Sequence, residues 1–324
     1  RPPEMKIVFA GTSEFSAFHL KLLIDSNHEI PLVISQPDRR SGRGREIKQA
    51  KVKAIALKNN LNILQPEYIK NNEGIISRLK KEDPDIILVV AYGLIIPKEI
   101  LNIPRLGCIN IHASLLPRWR GAAPIERCIL EGDKKSGISF MKMEVGLDTG
   151  PILKKVSCSL EERETSGSLE NKLKEISKAE LISFLEDLSL GKLNEEKQNP
   201  VDATYANKIL IKENEIDWIN SDSKYVDRKI RALSPKYGAY TFIKNNRVKI
   251  IEAAVDKNPL FIKPGILLIK NKNELHVGCG KNSSVRILKL QPAGKSSMSA
   301  SEFIKGNERK ILKIKKFSNS GIEN

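Results

Sequence analysis

Asn110-Ile111-His112-Ala113-Ser114-Leu115-Leu116-Pro117-Arg118, entered from the apolar run Gly107 to Ile111, decides how this 324-residue chain is read. A short apolar run ending in polar side chains reads as a buried strand. Alternation along a strand puts positions i and i+2 on one face, so Asn110 and His112 are expected to point the same way from the strand's carboxyl edge. A second block, Gly146-Leu147-Asp148-Thr149-Gly150, offers a carboxylate between glycines, on a turn able to come close to a neighbouring strand end. An amide, an imidazole and a carboxylate are what acyl transfer to an amine requires.

Outward from this stretch, short apolar runs alternate with helical ones. Strands are expected at Met5 to Ala10, Glu29 to Ser35, Asp85 to Ala91, Ile138 to Met143 and Ile152 to Cys158. Helices are expected at Glu14 to Asn27, Lys48 to Asn59, Ile69 to Lys81, Ala123 to Glu131 and Thr165 to Leu188. Such alternation argues for an α/β fold with a mostly parallel, helix-covered sheet. Ligands of these sheets sit beyond the carboxyl ends of the strands, where Asn110 and His112 fall. Gly191 to Asn207 is polar, contains Pro200 and has no apolar period, so it reads as a linker. After it a helix, Asp222 to Leu233, precedes short strands at Tyr240 to Ala253, Gly265 to Ile269, Glu274 to Gly278 and Ser284 to Leu290, a pattern of a small barrel or sandwich. The expected division is 5–190, a linker at 191–208, and 209–318.

The net charge of +16 is uneven. From Leu210 to the end there are 23 Lys/Arg against 11 Asp/Glu, a net +12 that leaves +4 for the first 209 residues. A basic half beside a nearly neutral one points to a polyanionic partner for the second module. Cys108, Cys128, Cys158 and Cys279 form no C-x-x-C pair, and the four histidines have no metal-ligand spacing, so no metal is expected. The longest apolar run, Ile86 to Ala91, is strand-sized, far short of a membrane span. Met5-Lys6-Ile7-Val8-Phe9-Ala10 reads as a natural beginning, making Arg1-Pro2-Pro3-Glu4 an expected expression remnant. No signal-peptide apolar region follows, and the expected location is cytoplasmic.

Gly11-Thr12-Ser13 follows a strand and opens a helix, but one glycine is not G-x-G-x-x-G, and no Walker Gly-Lys-Ser/Thr is present. It reads as a tight turn in which Thr12 or Ser13 caps the helix. Between Gln36 and Lys48, Arg39, Arg40, Arg43, Arg45 and Lys48 are interleaved with Gly42 and Gly44, and nothing apolar anchors the stretch before Ile47. Taken alone this is a solvated loop. Beside a basic second module it reads as an arm for RNA, because arginine pairs with phosphate bidentately and stacks on bases.

Asn110-Ile111-His112 with Ser114-Leu115-Leu116-Pro117, joined to Gly146-Leu147-Asp148-Thr149-Gly150, resembles the formyltransferases that use 10-formyltetrahydrofolate, and in particular the branch acting on methionyl-tRNA. The likeness extends to Ile7 to Thr12, Gln36 to Arg45, Val89 to Ile95, Pro117 to Ile125, Ile216-Asp217-Trp218 and Leu290 to Lys295, spanning about Met5 to Lys316. The resemblance implies a Rossmann-like catalytic domain followed by a β-barrel of oligonucleotide-binding type. It implies transfer of a formyl group from 10-formyltetrahydrofolate to the α-amine of initiator methionyl-tRNA by a monomer. It assigns catalysis to Asn110, His112 and Asp148. It puts the folate about Ser114, Leu115, Leu116 and Pro117, with Val90, Ala91 and Tyr92 lining the pterin cleft, and sends the Arg/Gly loop, Arg43 at its centre, into the tRNA acceptor end. Lys236 stands where relatives commonly carry Trp, and the tail Ile311 to Lys316 is unusually Lys-rich.

In chemical terms, a neutral amine attacks the formyl carbon and negative charge develops on oxygen. Asn110 offers an amide N–H to that oxygen and a protonated His112 a charged donor. Asp148 favours the charged imidazole or takes the proton that the nitrogen sheds, and sequence leaves both assignments of the proton open. Three other readings share parts of this pattern. A formyltransferase for a small amine (glycinamide ribonucleotide or a sugar nucleotide) would not need the Arg/Gly loop. A formyltetrahydrofolate hydrolase would use water. A catalytically inert RNA-binding protein would not need all three polar residues.

Overall fold

Five consecutive buried residues, Ile7–Gly11, make β1, an inner strand of a sheet covered on both faces. The computed structural model describes residues 3–41, 46–314 and 316–318. In chain order the elements that follow β1 are α1 (Glu14–Ile24), β2 (Val33–Ile34), β3 (Arg39–Ser41), β4 (Glu46–Lys48), α2 (Lys51–Lys58), β5 (Ile63–Leu64), α3 (Glu73–Glu82), β6 (Ile86–Val90) and α4 (Lys98–Leu101). Then come β7 (Cys108–His112), β8 (Arg120–Gly121), α5 (Pro124–Glu131), β9 (Lys135–Lys142), β10 (Ile152–Ser159), α6 (Ser166–Ser189) and β11 (Tyr205–Ala206). The expected strand Glu29 to Ser35 shrinks to Val33–Ile34: Glu29 pairs with Lys6 as an isolated bridge, and Pro31 has no N–H to continue the ladder, although the Leu32 carbonyl still accepts the Phe9 N–H at 3.1 Å.

The main sheet runs β10-β9-β7-β6-β1-β2-β5. β5, β2, β1, β6 and β7 are parallel, and β9 and β10 extend the edge antiparallel. This is the expected mostly parallel α/β sheet. The chain leaves β1 toward β2 and β5, then returns to place β6 on β1's other side. That reversal opens a crevice at the carboxyl ends of β1 and β6. There, Ser13 caps α1 by accepting from Ser16 N–H at 3.2 Å, as expected for the Gly11-Thr12-Ser13 turn. The turn also fastens the end of β6: Thr12 N–H donates to the Ala91 carbonyl at 3.2 Å and Thr12 Oγ1 to the Tyr92 carbonyl at 2.9 Å.

Two compact units divide the chain. The first takes Arg1–Pro124, Lys135–Ser159 and Glu170–Asn207, and the second Ile125–Lys134, Leu160–Leu169 and Lys208–Asn324. The second unit contains α7 (Ser223–Ala232), β12 (Ala239–Ile243), β13 (Asn246–Val255), β14 (Leu267–Lys270), β15 (Glu274–Cys279), β16 (Ser283–Pro292), β17 (Met298–Ser299) and α8 (Ala300–Ile314). The single strand expected at Tyr240 to Ala253 is a hairpin turned at Lys244, which sits at φ +50°. The antiparallel order is β12-β13-β16-β15-β14, with β17 on β16. Lys316–Ser318 bridges its two edges: Ser318 exchanges hydrogen bonds with Phe242, and Phe317 N–H donates to the Gly265 carbonyl at 2.7 Å. Those links close the sheet into a small barrel and remove its free edges. Inside it Trp218 stacks on Phe317 at 5.6 Å and donates Nε1–H to Thr241 Oγ1 at 2.9 Å. Of the Lys-rich tail, the side chains of Ile311 to Ile314 and residue Lys315 lie outside the described residues. Among the described residues no helix is long and apolar enough to cross a membrane.

Candidate active site

All five residues of β7 are buried, and β7 lies between β6, through Val89 opposite Asn110, and β9, through His112 opposite Ser139. Asn110 therefore meets a neighbouring main chain, and its Nδ2 donates to the Val89 carbonyl at 3.1 Å. One Nδ2 hydrogen is left for another acceptor. The Oδ1 atom is buried with no hydrogen-bond partner among the described residues.

His112 is oriented by the turn that follows it. Its Nε2 lies 2.8 Å from the Trp119 carbonyl. A carbonyl can only accept, so Nε2 carries the hydrogen. Nδ1 is consequently the nitrogen turned toward Asp148, with Oδ2 3.7 Å away. That carboxylate oxygen also accepts the Gly121 N–H at 2.8 Å. The three polar residues separated in sequence thus gather at the carboxyl end of β7.

Several devices fix this geometry. Ser139 Oγ donates to the Ser114 carbonyl at 2.6 Å and accepts from Leu116 N–H at 3.0 Å, fastening the turn to β9. Trp119 and Asp148 both adopt left-handed backbone, at φ +63° and +54°. Gly121 sits at φ +120°, and a Cβ there would lie 2.7 Å from the Ala206 carbonyl oxygen. At Gly150 a Cβ would overlap the Lys142 carbonyl oxygen, so the glycine lets the Asp148 turn close against β9.

Residues 191–207, read from their polarity as a linker, are built into this region of the first unit. Glu196 bridges Ile152, and β11 pairs in parallel with β8. Thr204 Oγ1 accepts the Trp119 N–H at 2.9 Å, and its carbonyl accepts the Arg120 N–H at 2.9 Å. Gln198 reaches the Asp148 turn itself. Neither residue had a motif to single it out.

The residues expected about the folate separate into two groups. Ala91, at φ +46°, is exposed, and Leu115 and Pro117 are half-buried, with Leu115 packed over Gly137. Val90 and Leu116 are wholly buried, and Leu116 packs with Met141 and Ile152. Ser114 is buried and donates to the Arg118 carbonyl at 2.6 Å. Tyr92 is 2% exposed, its ring among Ala10, Ile34, Ile69 and Ile96, and burial pushes its hydroxyl up to about 12. The side chains of Val90, Tyr92 and Leu116 are therefore packed in the core, whereas Ala91, Leu115 and Pro117 are accessible. The left-handed turn at Ala91 breaks strand alternation and swings Tyr92 inward.

The Arg/Gly segment, expected as a loop, is a hairpin where it is described. β3 pairs antiparallel with β4, with Arg39 opposite Lys48 and Arg40 opposite Ile47. Its base is anchored by Asp38, which accepts from Lys53 Nζ at 2.8 Å, Gln65 Nε2 at 2.8 Å and Ala50 N–H at 3.2 Å. Those bonds, Lys53 foremost, hold the Asp38 carboxyl below the usual range. Arg39 donates to Gln36 Oε1, while Arg40 and Lys48 are exposed. Arg43 and Arg45 lie outside the described residues.

A mostly parallel sheet presenting an amide, an imidazole and a carboxylate at one strand end, followed along the chain by an antiparallel barrel, defines a two-domain group-transfer enzyme. Residues 5–185 match the family model described as formyl transferase, and residues 208–308 that of the formyl transferase C-terminal domain. Curated proteins named methionyl-tRNA formyltransferase are similar along nearly their whole lengths. The one from Pseudoalteromonas translucida is 43% identical over 93% of this chain and 94% of its own, and that from Wigglesworthia glossinidia brevipalpis is 46% identical over 90% and 91%. The chain belongs to the methionyl-tRNA formyltransferase family. Among solved structures, the sugar 3N-formyl transferase WlaRD, crystallised with dTDP and 5-N-formyl-THF, aligns with a TM-score of 0.64 at 18% identity, covering 91% of this chain and all of its own. HypX from Aquifex aeolicus with tetrahydrofolic acid aligns at 0.61 and 14% identity, over 99% of this chain and 50% of its own. Both likenesses bear on the fold.

Proposed function

We propose that this chain moves the formyl group of 10-formyltetrahydrofolate to the α-amine of methionine esterified to initiator tRNA, releasing tetrahydrofolate. The observation that carries the reading is the pairing of His112 Nδ1 with Asp148 Oδ2 at 3.7 Å, beside the buried Asn110 amide, in a member of this family. The residues suit such a co-substrate: Asn110 keeps a spare N–H and a buried carbonyl oxygen for polar groups. Ala91, just beyond β6 where it pairs with β7, and Leu115 and Pro117, just beyond β7, supply accessible, largely apolar surface. Bound there, the folate supplies the formyl carbon and departs as a neutral amine, the nitrogen that carried the formyl group having gained one hydrogen.

Asn110 donates its free Nδ2 hydrogen to the formyl oxygen as negative charge grows on it. A donor of this kind contributes about 2.7–4 kcal/mol to the transition state. His112, its Nε2–H held by the Trp119 carbonyl, receives at Nδ1 the proton shed by the attacking nitrogen and passes it to the departing one. Asp148 keeps negative charge opposite Nδ1 while the ring holds that proton. The transfer therefore conserves protons within the site.

For the RNA, Arg39 and Lys48 stand directly opposite each other in the β3–β4 hairpin, a like-charge pair that is unfavourable until an anion lies across it. Arg39, Arg40, Arg43, Arg45 and Lys48 serve as the arm toward the acceptor end, and the basic stretch 209–318 tracks the backbone. The protein acts as a cytoplasmic monomer. Formyl transfer from 10-formyltetrahydrofolate to methionyl-tRNA, run beside glycinamide ribonucleotide, an amino sugar nucleotide and water, tests the reading. Preference for any of the other three acceptors refutes it.

A further inference from the structure

Gln198 is half-buried between exposed neighbours, and its one amide group joins two parts of the site. Nε2 donates to the Asp148 carbonyl at 2.8 Å and to the Gly150 carbonyl at 2.7 Å. Oε1 accepts from Arg120 Nε at 3.1 Å and Nη2 at 3.0 Å. Arg120 is itself buried and precedes Gly121, whose N–H holds the Asp148 carboxylate. We propose that Gln198 is the positioning residue for Asp148, pinning both ends of the Asp148–Gly150 turn so that the carboxylate stays opposite His112. The proposal rests on the catalytic reading above.

The turn needs such a pin. Glu144 to Leu147 are exposed, and Asp148 holds a left-handed conformation of the kind that favours glycine. Left to itself this stretch has cheaper conformations that carry the carboxylate away from His112. An uncharged amide is the group that fits. It gives two hydrogens from one nitrogen to two carbonyls, and its oxygen takes two from one guanidinium. A carboxylate could satisfy Arg120 but could donate to neither carbonyl, and a thioether could do neither. Arg120 and Gly121 share β8, which β11 fastens through Tyr205 and Ala206. The Asp148 side chain and main chain are thus held from one rigid strand pair.

Gln198→Met and Gln198→Glu in the full chain test this. Both lower kcat about 10- to 100-fold with KM for methionyl-tRNA nearly unchanged, the cost of displacing a reacting group by about 1 Å. Gln198→Glu does so although Arg120 keeps its acceptor. In an Asp148→Asn background either substitution changes kcat less than about twofold, because the pin has no charge left to place. Hydrogen exchange at the Gly121 amide quickens in both variants while the β13 amides stay protected, a readout independent of any substrate. An unchanged kcat, full multiplicative losses in the Asp148→Asn background, or unaltered Gly121 exchange in the folded variants overturns the proposal. If the wild-type protein formylates no methionyl-tRNA, the functional reading fails, and Gly121 exchange alone decides the role of Gln198.

Discussion

Asn110 has one amide hydrogen committed to Val89 and one unassigned, and in the proposed mechanism the second goes to the developing oxyanion. Asn110→Ala is expected to lower kcat about 10²- to 10³-fold with KM for tRNA within about threefold, read by steady-state formylation. A change confined to KM would make the residue a binding group instead. At this scale the sequence was a good guide for Asn110, His112 and Asp148, because strand alternation and flanking glycines constrain where such side chains point. The inward packing of the Tyr92 and Leu116 side chains was not legible in it. An aromatic or a leucine at a strand end can face either way, and the positive φ of Ala91 that settles Tyr92 has no residue-type signal, since alanine seldom takes it. Gln198 and Thr204 were illegible for a different reason. Their partners are main-chain carbonyls, a main-chain N–H and a buried arginine, 48 to 85 residues away, which no local spacing encodes.

Between elements, His19 ties α1 to α6. Its Nδ1 donates to the Phe15 carbonyl at 2.7 Å, so Nε2 accepts from Ser177 Oγ at 2.7 Å and the ring is neutral. Complete burial lowers its pKa to about 4 from 6.5. Between those values the unfolded chain binds a proton that the folded chain refuses. The residue's contribution is therefore intact above pH ~6.5 and falls with pH, by about 3 kcal/mol near pH 4. Denaturant titrations of His19→Gln should show a correspondingly shallower acid loss, and parallel curves would contradict this. In the β3–β4 hairpin, Lys48→Ala should raise KM for tRNA several-fold and reduce the salt slope of binding by about 1, with folate affinity unchanged. Equal tRNA binding would remove Lys48 from the interface. Element existence was largely legible from apolar periodicity, whereas α8 and the hairpin were not. Ser299-Ala300-Ser301-Glu302 did carry a helix-start signature, and Ser299 Oγ accepts from Glu302 N–H at 3.2 Å. The lysines beyond it read as tail instead. The hairpin has no apolar alternation to announce it, since charged residues and Ile47 share its exposed strands.

Across the whole chain, charge and chemistry are divided. The net +12 from Leu210 onward lies with the barrel, whereas Asn110, His112 and Asp148 lie in the first unit, where the sheet's strand ends can hold them rigidly. Such a division suits a large polyanionic substrate whose reacting amine is a small part of it: contacts remote from the amine supply the binding, and the strand-end cluster supplies the chemistry. The sequence's charge asymmetry made this legible. Closure of the barrel by Lys316–Ser318 was not, because a three-residue edge segment has no pattern of its own. The most direct test is single-turnover formylation of methionyl-tRNA with enzyme and 10-formyltetrahydrofolate saturating, comparing wild type with Asp148→Asn, which keeps an oxygen for the Gly121 N–H and loses only the charge facing His112 Nδ1. Formylmethionyl-tRNA is expected from wild type, with a rate lower by about 10²-fold or more in the folded variant; an equal rate in the two proteins would remove the Asp148 charge from the mechanism.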